Sequence, residues 1–557
     1  MGLAKRALGL PLLLVTVLSV AVVEPGPSPT RAAGLIVPAP AEAAGQEIEV
    51  PQEVLRWVYA AIEAGEKGDL VEALRLQRQV KAWVEANLPP QHPFQAWSLI
   101  NLGRWLHQSG GHQEALAALL KAEQILRDSL SRNPATRRDL VTTLHNLAET
   151  YNSLGRPQVA AAITGEAVQI LRELRKGDPK IQTPLALQVT RLGVFYGALG
   201  REAEALPLSE EGVRLLRELG TADPGARLLL AWALDNLTLR YLQLGRPQDA
   251  LAPAAEALSL KREQGQGHPA QRLEVARALQ PLIQAHLALG QRQQALPHAR
   301  EGVRIYRELA LSDPRFRGPL VAALNSLATV TAALGSQLDA LALAREAVQI
   351  ARQMVKDDPQ QRPSLIDALS QLGVRYGELG QPRQALAPTQ ESLQLLRELV
   401  TTHPTTRVDL ARSLDNLATT YCELGQSLQA LDPSQESVAI WRVLAATDPL
   451  HRGSLANALN TLGRAHGESN QLQQALAPLL ESVRILRDLA RANPRYQGDL
   501  ARSLNNLGYL RLVLGQADQA RVLLEESLAL VSPLADTSPA LRADMERTRV
   551  NLRRLQR

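Results

Sequence analysis

The side chains able to do chemistry fall on a regular grid. A glutamate recurs every 45 residues, at Glu166, Glu211, Glu256, Glu301, Glu346, Glu391, Glu436, Glu481 and Glu526. General acid–base catalysis needs carboxylates that converge on one reacting atom. One carboxylate per 45 residues is instead the spacing of scaffolding. Of the ten histidines, His107 and His112 lie across a helix turn, and His286 and His466 share a phase 180 residues apart. Neither spacing is that of a His-Glu-x-x-His metal site. Cys422 is the only cysteine, which excludes an internal disulfide framework and any paired-cysteine site. There is no Gly-rich phosphate loop ending in Lys-Ser/Thr and no Gly-x-Ser-x-Gly elbow. Without a convergent titratable cluster, the sequence predicts no enzymatic activity, no cofactor and no metal.

The elements behind that grid follow the same period. A glycine ends each first helix at Gly110, Gly155, Gly200, Gly245, Gly290, Gly335, Gly380, Gly425 and Gly515, and Asn470 fills the one gap. Gly first and Asn second tolerate the left-handed backbone that closes a helix. Five residues later stands an alanine in all ten copies, from Ala115 to Ala520. Seven further on the side chain is Ala, Gly or Ser, from Ala122 to Ser527. Two small residues seven apart share a helix face and let a neighbouring backbone approach. Before each landmark, leucines recur at helical spacing, as in Leu410, Leu414, Leu417, Tyr421 and Leu424, which predicts a buried stripe. A second punctuation ends in proline, as in Asp313-Pro314, Asp358-Pro359 and Asn493-Pro494, where the first residue caps a helix and proline takes its first position. Each unit is therefore two helices of about 20 residues, about 30 Å long each.

Leu-Gly/Ala, Tyr three residues on, Gly four later, Ala five later and a small residue seven later: this order resembles the tetratricopeptide repeat. The basic repeat has about 34 residues, so these units carry about 11 more, roughly three helical turns, which keeps the packing faces nearly in register. The long units resemble those of kinesin light chains and of bacterial regulatory arrays. The resemblance implies an all-α fold, a right-handed superhelix or α-solenoid of about eleven helical hairpins with a C-terminal capping helix. Thr238 and Ile283 depart from the small residue before the tyrosine position, and Leu106, His286, Thr331, His466 and Arg511 replace the tyrosine itself. Prolines recur inside the second helix, at Pro207, Pro253, Pro297, Pro388, Pro433 and Pro478, and predict a repeated bend.

In this family the first helices line a concave groove. Its peptide-contacting positions lie thirteen, ten, nine and six residues before the helix-ending glycine. Carried over by phase, they are Arg412, Asp415 and Asn416 in one unit, Asn457, Asn460 and Arg464 in the next, and Arg502, Asn505 and Asn506 in the third. Asparagine amides both donate to and accept from a peptide backbone, and arginine forks hold carboxylates. The expected ligand is a protein or peptide, extended or acidic. Asn146 and Asn236 hold the same phase earlier, beside Leu187 and Trp232, which could grip an apolar anchor. The competing reading of every such asparagine is a bond from helix to helix between units.

Along the chain, residues 1–21 read as a secretory signal peptide or, if retained, a membrane anchor. Lys5 and Arg6 precede an apolar run from Leu8 to Val23 that is short for a bilayer span. Residues 22–50 form a Pro/Ala-rich linker, 51–90 a degenerate first repeat, 91–535 ten regular repeats and 536–557 a capping helix. The 61 basic and 56 acidic residues are spread along the repeats, not gathered into the basic stripe of a nucleic-acid binder. The sequence thus predicts a non-enzymatic scaffold or adaptor outside the cytoplasm, periplasmic or secreted, that touches a membrane only through its N-terminal segment. The alternative is a regulatory or sensor subunit acting on a separately encoded enzyme.

Overall fold

The computed structural model describes residues 50–130, 136–176, 178, 181–220, 224–264, 269–402, 406–447, 451–493, 496–537 and 539–555. The signal and most of the linker read from the sequence lie outside them. The described residues are helical, with no strand among them. In chain order the helix pairs are α1 (Gln52–Glu66) and α2 (Leu70–Asn87), α3 (Pro93–Gln108) and α4 (His112–Ser129), α5 (Arg137–Ser153) and α6 (Pro157–Arg175), and α7 (Gln182–Ala198) and α8 (Glu202–Leu219). There follow α9 (Pro224–Gln243) and α10 (Pro247–Gln264), α11 (Pro269–Ala288) and α12 (Arg292–Ser312), α13 (Arg317–Ala333) and α14 (Gln337–Asp357), and α15 (Arg362–Glu378) and α16 (Pro382–Thr402). The last are α17 (Arg407–Glu423) and α18 (Ser427–Thr447), α19 (Arg452–Glu468) and α20 (Leu472–Ala492), α21 (Gln497–Val513) and α22 (Ala517–Val531), with a single helix α23 (Pro539–Arg554) packed on α21 and α22. Two compact units result, one running to Ala285 and one beginning at His286.

The helix ends obey the chemistry of their residues. Asn470 adopts φ 60° where the other copies have glycine, as at Gly425 with φ 70°, and it is the one non-glycine residue in that region among those described. The amide of Gln426 then reaches back to the carbonyl of Tyr421, satisfying a group the helix end would orphan. The Asp-Pro start differs in one respect from a simple helix cap. Asp313 and Asp358 accept from the amides of Arg315 and Gln360, but they cap a short 3-10 turn, and the α-helix proper begins at Arg317 and Arg362. Helices α8, α10, α12, α16, α18 and α20 are continuous through their prolines.

Packing explains the small residues. The alanine five after each landmark is buried in all ten copies. Where the next small position is serine, its hydroxyl finds an acceptor in the first helix of the same pair: Ser437 donates to the Ala411 carbonyl at 3.2 Å and Ser482 to that of Ala456 at 2.7 Å. A buried hydroxyl needs such a partner. Before the tyrosine position, a Cβ on Gly463 would stand 2.5 Å from Leu479 Cγ, and one on Gly508 2.8 Å from Leu524 Cγ. Thr238 fits the same place because the residue sixteen later is Ala254, buried, and not leucine. The large side chain changes helix while the pair keeps its volume.

Within each unit, successive first helices pack on one another, as α3 on α5, α7 on α9, α17 on α19 and α19 on α21. No comparable packing joins successive second helices among the described residues. Long side chains span that wider gap instead. Arg127 pairs with Glu166 at 2.8 Å and Arg397 with Glu436 at 2.7 Å, and the 39-residue step repeats for Arg172–Glu211, Arg307–Glu346, Arg352–Glu391, Arg442–Glu481 and Arg487–Glu526. These glutamates are thus one half of a ladder that ties successive second helices together within each unit.

Candidate peptide-binding face

Closer approach of the first helices than of the second puts the first helices on the inner side of each unit. On that side of the second unit lie α17, α19 and α21, which carry the transferred positions. The position thirteen before the helix end is the most open. Arg412 is 48% exposed at its side chain, with Asp409 3.5 Å away. Asn457 is exposed and donates to Asp499 on the next first helix at 3.4 Å. Arg502 lies between Asp499 at 3.4 Å and Asp544 of α23 at 3.2 Å. These three form a polar row across adjacent helices.

The positions ten and nine before the helix end turn toward neighbouring helices. Asn506 donates to Asn460 at 3.0 Å, and Asn551 donates to Asn505 at the same distance, each across 46 residues from one first helix to the next. Asn460 and Asn505 are buried. Their amides hold hairpin to hairpin, the second role the sequence allowed them. Asn416 is partly exposed on α17. Asp415 points into its own helix pair, accepting from Ser437 Oγ at 2.5 Å and from Trp441 Nε1 at 2.8 Å. Burial pushes its carboxyl up to about 7, against the pull of those two donors and of Arg412. Arg464 is held by Glu468 at 2.7 Å, beside Cys422, whose thiol burial pushes up to about 11.

In the first unit the two residues expected to grip an apolar group are not available on the surface. Leu187 and Trp232 are buried in the core, and Asn236 donates along its own helix to the Trp232 carbonyl at 2.8 Å. Asn146 is partly exposed on α5. In place of an anchor the unit holds a buried polar network. Arg191 Nε sits 2.8 Å from Glu149 with 2% of its side chain exposed, and its guanidinium also reaches His145, which contacts Gln188 at 2.9 Å. Burial and the Arg191 charge hold His145 well below the usual histidine range. Burial, with His112 and Arg191, depresses His107 to about 4. Sequence reading missed this network, because Arg191 and Glu149 each look like one more charged helix residue. The available signal was that Arg191 occupies the Asn146 phase, which faces the neighbouring first helix.

Among the described residues no group of three or more His, Cys, Asp or Glu is arranged to hold a metal, and no helix is long and apolar enough to cross a membrane. The face presents guanidiniums and an amide beside the carboxylates of Asp409, Asp499 and Asp544 and is suited to polar, non-covalent contact.

One tetratricopeptide-repeat family model matches residues 54–128 and 409–488, and a second matches 140–176, 230–270 and 320–361. No curated protein matches the chain in sequence. Solved structures similar to it include the nearly identical TPR-like repeats of a kinesin light chain from Podosopora anserina, 23% identical, covering 40% of this chain and 100% of that one with a TM-score of 0.33. BtubC (BKLC) from P. vanneervenii is 21% identical over 44% of this chain and 92% of its own, with a TM-score of 0.36. The apo form of the quorum sensor NprR from B. thuringiensis is 17% identical over 62% of this chain and 89% of its own, with a TM-score of 0.46. Each matched segment contains the Gly and Ala landmarks whose packing the structure explains, and the chain belongs to the tetratricopeptide-repeat family.

Proposed function

We propose that this protein is a non-enzymatic scaffold that binds an extended or acidic segment of a partner protein along the first helices α17, α19 and α21, outside the cytoplasm. The observation that carries the reading is the polar row of Arg412, Asn457 and Arg502 across three adjacent helices. Its members face solvent while the amides behind them lock the helices in place. A fixed row of donors can bind a peptide backbone and its carboxylates without reorganising, which lowers the entropic cost of association. Displayed random peptides selected on the full chain would test it. Selected peptides should bind at least about tenfold more weakly to Arg412→Glu and Asn457→Ala, a loss of about 1.4 kcal/mol or more, with helical melting kept. Unchanged isotherms would remove this face as the site.

The extracytoplasmic location is supported by the apolar run from Leu8 to Val23 after Lys5 and Arg6. N-terminal sequencing of the protein from its native host is its test. A mature chain starting after Ala21 is the expected result, and an intact Met1 recovered with the cytoplasmic fraction would overturn it.

A further inference from the structure

A second surface, independent of the inner face, lies between second helices α20 and α22. In three other hairpins the tyrosine at this position reaches back 31 residues to the preceding second helix. Tyr241 donates to Glu210 at 2.8 Å, Arg345 donates to Tyr376 at 3.0 Å, and Gln390 donates to Tyr421 at 3.0 Å. In α21 that position is Arg511, and the residue 31 before it is Leu480. The guanidinium cannot pair with a leucine and turns to Gln516 instead.

The gap here is a groove of about 710 Å³, with Val483, Leu507 and Leu523 among its lining, against about 400 Å³ at the equivalent place beside Tyr421. Leu480 is 44% exposed where the two preceding copies have Gln435 and Gln390, and Val522 is 64% exposed where they have Ala477 and Asp432. Arginines edge this apolar strip. Arg487 is spoken for by Glu526 at 2.5 Å, and Arg491 lies 3.8 Å from Asp488. Arg484 and Arg511 form no ion pair among the described residues. Exposed apolar side chains bordered by unmatched guanidiniums match a ligand carrying both apolar groups and carboxylates.

We infer that the α20–α22 groove, wider where Arg511 stands in place of the repeat's tyrosine, is a docking site for an acidic, apolar segment of a partner protein. The segment places an aliphatic or aromatic side chain against Leu480 and Val522 and its carboxylates on Arg484 and Arg511. The volume is in the range of pockets that enclose small ligands, enough for one anchor side chain and its neighbours. Charge sets the orientation, and the apolar floor supplies the contact area.

The test uses the full chain and a displayed library of random 12-residue peptides, selected in parallel on the wild type and on Arg511→Tyr. Tyrosine stands at this phase in five other hairpins, so the variant keeps the fold while narrowing the groove and removing the Arg511 charge. Peptides enriched on the wild type and lost on the variant should be rich in Asp and Glu and carry a large apolar residue. Their binding should weaken at least about tenfold with Arg511→Tyr and with Leu480→Gln, weaken in high salt, and stay unchanged with Arg412→Glu. Peptides lost on Arg412→Glu instead would report the inner face alone. The inference is overturned if no peptide set depends on Arg511, or if the dependent set is not acidic. It is equally overturned if the groove variants abolish sedimentation with phosphatidylserine vesicles instead of peptide binding, which would make the partner a membrane.

Discussion

Asp415 should make the second unit less stable as pH rises from mildly acidic to neutral, opposite to the usual behaviour of a carboxylate. Its carboxyl is enclosed between α17 and α18 with only the Ser437 hydroxyl and the Trp441 indole as donors, and burial raises it to about 7. In the unfolded chain an aspartate titrates near about 3.9. Between those values the folded state holds a proton that the unfolded state has released, so stability falls with rising pH. The contribution is fully present below about pH 4 and is lost as pH climbs through 7. At about 1.4 kcal/mol per pH unit, the interval from pH 5 to 7 is worth about 2.5 kcal/mol. Asp415→Asn isolates the effect. The amide keeps the acceptor for Trp441 and can donate to Ser437 Oγ, whose single proton, shared in the wild type between Asp415 and the Ala411 carbonyl, is then left to that carbonyl. Urea unfolding at pH 5, 6, 7 and 8, followed by circular dichroism and by fluorescence of Trp441, the one tryptophan after His286, gives the comparison. The variant should match the wild type within about 1 kcal/mol at pH 5 and exceed it by about 2.5 kcal/mol at pH 8. A difference that stays constant with pH within about 0.5 kcal/mol would refute the placement of an ionisable group in that environment.

Three further outcomes follow from the packing. Glu436→Ala removes one rung of the arginine–glutamate ladder and should cost under about 1 kcal/mol, fading in 1 M salt; a loss above about 2 kcal/mol would show that the rung is not a solvated pair. Gly463→Thr drives a side chain into Leu479 and should destabilise by about 1–3 kcal/mol, with Leu479→Ala restoring part of it, as Ala254 accommodates Thr238. Failure of that second substitution to rescue would refute the volume exchange. Cys422, buried and with its thiol raised to about 11, should resist a maleimide at pH 8 in the folded protein and react in urea; rapid labelling without denaturant would contradict its burial.

Much of the fold was legible in residue types alone. The left-handed turn at Asn470 and the buried alanines were readable because backbone angle and close packing each admit few residue types, and a repeat states them ten times. The pairing of Asn506 with Asn460 was legible only as one of two roles. An amide serves a ligand or a neighbouring helix with equal chemistry, and the choice depends on how one hairpin is rotated against the next. The Arg191–Glu149 network was not legible for a related reason, since burial of a charge is set by the neighbouring helix and leaves no mark on local periodicity.

By itself the sequence determined the period, the helix pairs, their ends and the membership in the tetratricopeptide family, because these rest on local backbone preferences and on contacts within 45 residues that recur at fixed spacing. Only the tertiary structure decided which transferred positions face solvent, with Arg412 and Asn457 outward and Asn460 and Asn505 inward. It alone showed that the groove beside Arg511 is wider than the one beside Tyr421. Those outcomes depend on contacts between successive hairpins, where a side chain's fate is set by the residue 31, 39 or 46 positions away across a packed interface.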